Sequence, residues 1–357
     1  SINGIKAGHA AGMKVIHIPD TIEINDDIRS LTSIVCHSLS DVPDIIDTWN
    51  EGKVVDVEGY YENAKINRVY VDRVHVKKAF AEYTAAYNAG DPKIKLKIDH
   101  TYRVAALCER IAKAAGMCAY DVELAWLSGM LHDVGRFEQI KRYNTFSDAD
   151  SVDHAKFGAD LLFKDGLIST FLKGMVKCTG YKPGALEDRY SSDGVFLYDR
   201  LNKSDMEMLE LAIRCHNMYR IPQGLNSREQ AFCNVLRDAD KVDIFKVNID
   251  TPLEEIYNTT TEELMKSNIT DEVLEVFDEE HCILKAIRRT PADTVIGHVS
   301  LAYELVYDES VRITVEQGYL AKLMHFHSDN EETNRKMAMV REKMDSYVKK
   351  RIGEKDA

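Results

Sequence analysis

Six histidines and aspartates fall on the inner faces of expected helices: His100, His132, Asp133, His154, His216 and Asp240. His132 and Asp133 stand side by side at the end of the apolar run Ala125-Trp126-Leu127-Ser128-Gly129-Met130-Leu131. A carboxylate taken to the edge of a core needs a cation or a dense set of hydrogen bonds, because an uncompensated buried charge is costly. His100 precedes Val104, Leu107 and Ile111 at helical spacing, which puts it on their stripe. His154 stands in the same relation to Gly158 and Leu161, and His216 to Leu209, Ala212 and Ile213. Asp240 follows Phe232 and Leu236 on the apolar side of its helix, with Asp243 as a competing inner carboxylate. Asp238 lies about 200° further round that helix and is expected at the surface. Any one of these side chains alone reads as a core histidine or a solvated acid. Six together read as metal ligands. Imidazole with carboxylate suits Mn, Fe, Ni, Co or Zn and not a soft thiolate site. The wide spacing is unlike a zinc finger.

The rest of the composition narrows the function. A length of 357 residues favours two domains over one. With 45% hydrophobic and 29% charged residues, the chain has the balance of a globular protein. A net charge of −13 argues against binding a nucleic-acid backbone, although a local metal ion can still hold a small anion. No apolar run approaches the ~20 residues of a membrane span, and no signal peptide is visible. Seven cysteines, an odd number without a C-x-x-C pair, fit reduced thiols and a cytoplasmic location.

The elements that must position these residues are mostly helical. At the N terminus, a helix closed by Gly12, a strand at 14–18, a short helix at 26–31, a strand at 34–36 and a helix at 42–49 read as half of a doubly wound α/β unit. The polar stretch 51–68 is expected to be a linker, and from Val69 onward the pattern is helical. A helix carrying Val71, Val74, Val76, Ala79 and Phe80 is stopped by Gly90-Asp91-Pro92. Asp99 is expected to cap the next helix and Asp121 the one that runs into His132-Asp133. A polar loop spans 143–150. Further helices are expected at 153–164, 204–217, 229–247, 253–258, 261–288 in pieces, 293–305 and 330–351.

The words His100-Thr101-Tyr102-Arg103-Val104, Leu131-His132-Asp133-Val134-Gly135 and Asp238-Ala239-Asp240-Lys241-Val242-Asp243 resemble the HD-domain metal-dependent phosphohydrolase superfamily. The resemblance covers residues 69–250 and places the family's His, His-Asp and distant Asp on His100, His132, Asp133 and Asp240. The stretch His154–Leu161 is similar to the further histidine motif of two-metal members, and His216-Asn217 stands where those members carry His-His. The chain lacks the Gly-Tyr-Pro signature of cyclic-di-GMP phosphodiesterases. Separately, Ser1–Ala7 and Ala10–Met13 resemble the C-terminal end of haloacid-dehalogenase-like phosphatases, without that family's catalytic residues. The expectation is therefore a mainly α HD-domain bundle at 69–250 with a helical extension at 251–357. It would be preceded by a Rossmannoid α/β remnant at 1–50, the tail of a larger N-terminal domain.

The resemblance implies hydrolysis of a phosphate ester or anhydride by metal-activated water. Asp133 is the expected bridging or water-orienting ligand. Arg136 and Lys156 are candidates to hold phosphate oxygens, and Arg103 to support the site through Asp243. One tight ion is expected at His100, His132 and Asp240, and a weaker one at His154 and His216. The expected partner is a small phosphorylated substrate, foremost a nucleotide, with no membrane; a homo-oligomer is compatible with the sequence. The rival reading is a non-catalytic nucleotide-binding HD sensor module coupled to the larger N-terminal domain. His325 and His327 are expected to be merely exposed.

Overall fold

The computed structural model describes residues 2–18, 30–35, 42, 46, 49–50, 71–88, 90–172, 203–257 and 259–353. The described chain is mainly α-helical and groups into two compact units. The smaller comprises residues 1–79, 118–120 and 169–202, and the larger comprises the remainder.

In the smaller unit, α1 (Ile2–Ala10) buries Ile5 and ends before Gly12, whose φ of +69° suits the left-handed closing position. Strands β1 (Ile16–His17) and β2 (Ile34–Val35) pair in parallel, Ile16 with Ile34 and His17 with Val35. Ile34 is fully buried against Ile16, Ile18 and Trp49. Two residues per strand do not make an α/β layer, so the expected Rossmannoid remnant is not seen among the described residues. The expected linker at 51–68 lies outside the described residues, as does most of the expected helix at 26–31. Helix α2 (Arg73–Thr84) begins here, where Asp72 Oδ1 accepts the amide of His75 at 2.9 Å. Val76 and Ala79 are buried as expected, but Val74 is exposed.

The larger unit opens its core with α3 (Pro92–Ala114). Asp91 accepts the Lys93 amide at 2.8 Å and Pro92 occupies the first turn. The expectation that Asp99 caps this helix is corrected: Asp91-Pro92 supplies the start two turns earlier, and Asp99 pairs with Lys95 on the exposed side. Helices α4 (Ala119–Leu131) and α5 (Val134–Tyr143) follow, separated only by His132 and Asp133. Next come α6 (His154–Ala159), which continues as a π-helical turn over Asp160–Lys164, then α7 (Ile168–Leu172), which after Ile168 belongs to the smaller unit, and α8 (Lys203–Cys215) of the larger unit. Helix α9 (Ser227–Asp250) starts from a capping box formed by Asn226 and Glu229. It packs along α3 and α8, while α6 packs on α5 and α8.

The C-terminal part adds α10 (Leu253–Tyr257), α11 (Thr261–Lys266), α12 (Asp271–Asp278), α13 (Pro291–Val299), α14 (Asp308–Gln317), α15 (Tyr319–Met324) and α16 (Glu331–Ile352). Helices α14 and α15 were not expected. They pack on α9, and their presence corrects the placement of Asp238. That carboxylate does point away from Asp240, but it is buried. It accepts the amides of Val306 and Tyr307 at 2.9 and 3.0 Å and the Ser310 hydroxyl at 2.7 Å.

Two close approaches set the spacing of α3, α4, α5 and α6, which bring His100, His132, Asp133 and His154 together. A Cβ on Gly129 would stand 2.6 Å from the Cα of Ala105, so only glycine lets α4 lie this close to α3. A Cβ on Gly135 would stand 2.5 Å from the His154 carbonyl oxygen and 2.7 Å from the Gly158 nitrogen, so α5 meets α6 backbone to backbone. The obstacles are main-chain atoms, which a rotamer change cannot clear. Gly129→Ala and Gly135→Ala are each expected to destabilise the protein by about 1–3 kcal/mol, read as a lowered midpoint in urea unfolding. An unchanged midpoint for both would mean that the helix spacing is not set there.

Candidate metal centre

The structure gathers all six expected ligands into one buried cluster in the larger unit. His100, His132, Asp133, His154 and His216 are buried, and Asp240 is partly so. Each imidazole is oriented by its Nδ1. His100 Nδ1 lies 2.6 Å from Asp243 Oδ2, and His154 Nδ1 2.7 Å from Asp148 Oδ2. His132 Nδ1 meets the Gly129 carbonyl and His216 Nδ1 the Ile213 carbonyl, each at 2.7 Å. With Nδ1 as the donor, every ring turns an unprotonated Nε2 inward, which is how proteins orient histidines on metals. The two carbonyl partners are three residues back on the ring's own helix, so helix ends aim these side chains.

The Nε2 atoms form two groups. His100 and His132 approach to 3.3 Å, and Asp240 Oδ1 lies 3.2 Å from the first and 3.9 Å from the second. His154 and His216 approach to 3.0 Å. Asp133 stands between them. Its Oδ2 is 3.5 Å from both His100 and His132, while its Oδ1 is 3.5 Å from His154 and 3.8 Å from His216. Oδ1 is buried and has no hydrogen-bond partner. A buried carboxylate oxygen facing two imidazole nitrogens with no donor to satisfy it fits a cation between them. The donor set therefore fits a metal site.

Charges around the cluster follow from this crowding. Burial raises the Asp133 carboxyl, but Lys97, His132 and His154 outweigh it and hold the group well below the usual carboxylate range. Burial and Lys97 both lower His100, yet its bonds to Asp240 and Asp243 leave it raised. Burial, then His154 and His132, push His216 down to about 3, and burial with Arg136 lowers His154.

Several neighbours were not expected from the sequence. Lys97 Nζ lies 2.6 Å from Asp133 Oδ2. The clue was its place three residues before His100, on the same helical face. Asp148 orients His154 from a loop without periodicity, where no pattern marks it. Gln139 is fully buried and anchors that loop, donating to Asp148, Ser151 and the Val152 carbonyl. Arg103 meets Asp243 through both ends of its fork, at 2.6 and 2.8 Å, the expected support. Arg136 Nε stands 3.7 Å from Asp133 Oδ1, while its Nη1 donates to Gln139, Phe146 and Asp148. Lys156 is not drawn into the cluster: it is exposed and pairs with Asp153 at 3.0 Å. Asn217 donates to Asp153 and Asp148 at 2.9 and 3.3 Å. His325 and His327 are exposed, as expected.

The lowered histidines give a pH dependence with a definite sign. A histidine held below its unfolded value of about 6.5 lets the unfolded chain take up the proton first. The stability it contributes is complete above that pH and is lost as pH falls toward the folded value. In chelator-treated protein, the stability difference between wild type and His216→Asn is therefore expected to shrink from pH 7.5 to pH 5. Parallel unfolding curves at the two pH values would contradict the burial of a neutral His216.

No curated protein and no solved structure matched the chain. Among the described residues, no helix is long and apolar enough to cross a membrane. The described cysteines Cys108, Cys118, Cys215, Cys233 and Cys282 are not in disulfides. The haloacid-dehalogenase resemblance of the N-terminal stretch gains nothing from the family comparison, which begins further along. Residues 98–281 match the HD domain, just over half of the chain and all six clustered residues, so the chain belongs to the HD-domain family, and its buried His/Asp cluster is consistent with a metal-dependent phosphohydrolase.

Proposed function

We propose that this protein hydrolyses a phosphate ester or anhydride of a nucleotide or other small phosphorylated metabolite, at a site that holds two divalent ions. The observation that carries this reading is the position of Asp133, with one oxygen toward each pair of imidazoles. When bound, such ions supply Lewis acidity toward phosphoryl oxygens and make water nucleophilic near neutral pH.

The chain's own residues supply position and charge. His100, His132 and Asp240 would hold one ion, and His154 and His216 the other, with Asp133 shared. Asp243 and Asp148 keep the outer imidazoles in the tautomer that offers Nε2. Lys97 Nζ, already against Asp133 Oδ2, places a positive charge where a phosphoryl oxygen would approach. Arg136 Nε is buried without a hydrogen-bond partner beside Asp133, which suits a donor for a phosphate oxygen. Lys156 would contribute only by leaving Asp153. A complete ligand set favours an enzyme over a sensor module, which has no need of activated water.

Four groups would hold the first ion, His100, His132, Asp240 and the shared Asp133, but the second would have only two imidazoles and Asp133, since Asn217 stands where a second histidine would add a ligand. One tight and one weaker ion are expected. Purified protein should contain a first-row divalent metal, and Asp133→Ala should remove it while leaving the helical circular-dichroism signal in place. Wild type devoid of metal even after incubation with Mn²⁺ would overturn the reading. His154→Ala with His216→Ala should bring the stoichiometry toward one ion and lower turnover of phosphate esters or nucleotides strongly. Unchanged metal content and rate in that variant would make these histidines core or substrate contacts.

A further inference from the structure

Helix α9 carries a second set of charged side chains beside the metal ligands. With Asp240 as origin, the helical period sets Asp243 about 60° to one side, and Arg237 and Lys241 about 60° and 100° to the other. Arg237 is one turn before Asp240 and Lys241 immediately follows it, so both lie within about 5 Å along the axis from a metal ligand. Both are buried, at 7% and 9% exposure. Among the described residues, no carboxylate oxygen comes within 4.0 Å of Lys241 Nζ. Its neighbours Asp238 and Asp240 are engaged elsewhere, the first with Val306, Tyr307 and Ser310, the second with His100. Arg237 Nε is buried without a hydrogen-bond partner, and Arg237 Nη2 donates to the Tyr219 carbonyl at 3.1 Å.

A third cation, the half-buried Arg288, lies along the same chain of contacts. Tyr219 reaches on through its hydroxyl to the Cys282 carbonyl at 3.2 Å, and Arg288 Nη2 holds the next carbonyl, Ile283, at 2.5 Å. Arg288 Nε is also buried and without a hydrogen-bond partner. The Arg288 guanidinium lies where a side chain on residue 297 would stand, and that residue is Gly297. Glu304 faces this group, 3.8 Å from Arg237 and 3.4 Å from the exposed Arg220, and acts on Lys241 together with Asp238 and Asp240. Burial pushes Arg288 down, and burial with the neighbouring Arg237 lowers Lys241 against the pull of Asp238, Asp240 and Glu304. Buried guanidinium N–H groups left without a partner, as at Arg237 and Arg288, are expensive to maintain unless an acceptor completes them. Unpaired guanidinium N–H groups beside an ammonium are suited to a phosphoryl oxyanion.

We infer that Arg237 and Lys241, flanked by Arg288, form an anion site beside the metal centre that takes a second phosphoryl group of the ligand. The ligand is then a compound with two linked or closely spaced phosphates and not a simple monophosphate. The inference rests on the phosphohydrolase reading for the first phosphate alone.

The test is binding, which is independent of turnover. The full chain as purified is titrated calorimetrically with methylenediphosphonate, which resists hydrolysis, and with methylphosphonate. Wild type is expected to bind the diphosphonate at least tenfold more tightly. In Arg237→Gln and in Lys241→Met the ratio of the two affinities should fall at least tenfold. An unchanged ratio in folded variants, or no preference in wild type, overturns the inference. If neither variant folds, hydrogen exchange on wild type decides. Diphosphonate must protect amides in the peptides covering 219–221 and 282–289 beyond what methylphosphonate does, and equal protection overturns the inference. Failure of the metal reading would show separately, as protein without metal or turnover whose preference for the diphosphonate persists.

Discussion

The site turns on one buried carboxylate. Asp133 has each of its two oxygens facing a different pair of imidazole nitrogens, and one oxygen lacks any hydrogen bond from the protein. A charge so placed is costly to bury, and much of the surrounding structure answers that cost. Lys97 reaches it along α3, Arg136 approaches from α5, and four imidazoles surround it. The geometry also limits the backbone. Asp133 sits between α4 and α5 with no helical hydrogen bond from its side chain, so the two helices must part there. They can do so in so small a space because Gly129 and Gly135 accept neighbouring main chain at distances that any Cβ would forbid.

Most of the centre was legible in the sequence because buried helices write their inner faces as a period of 3.6 residues. His100, His154, His216 and Asp240 each share a stripe with leucine, isoleucine or alanine, and the fold buries these stripes against one another. The support from Arg103 through Asp243 was legible for the same reason. Periodicity says nothing about loops, so Asp148 was invisible, although it orients His154 as firmly as Asp243 orients His100. Lys97 lay on the right face but reads as a solvated lysine until Asp133 is seen opposite it. The expectation for Asp238 failed differently. Its direction was right, but helical phase cannot say whether the far side of a helix meets water or another layer of protein. Here α14 and α15 cover it. The N-terminal α/β expectation rested on short apolar runs, and such runs cannot distinguish a two-residue pairing from a layered sheet.

The covering of α9 also explains why the chain continues well beyond its last candidate ligand. Around this helix, Asp243 and Asp240 face the metal side, Arg237 and Lys241 come next, and Asp238 lies farthest round. Phe232, Val235, Leu236, Ala239, Val242 and Phe245 anchor the helix, but charge spread over so much of a buried circumference must also be met by donors and acceptors. The C-terminal segment provides them. The Val306 and Tyr307 amides and the Ser310 hydroxyl complete Asp238, Glu304 stands against Arg237 and Arg220, and the carbonyls of Cys282 and Ile283 receive Tyr219 and Arg288. The residues after 250 thus form the other half of the environment of α9. Helix α9 presents the candidate ligand Asp240 on one side while Asp238, on the other, is bonded by the C-terminal segment.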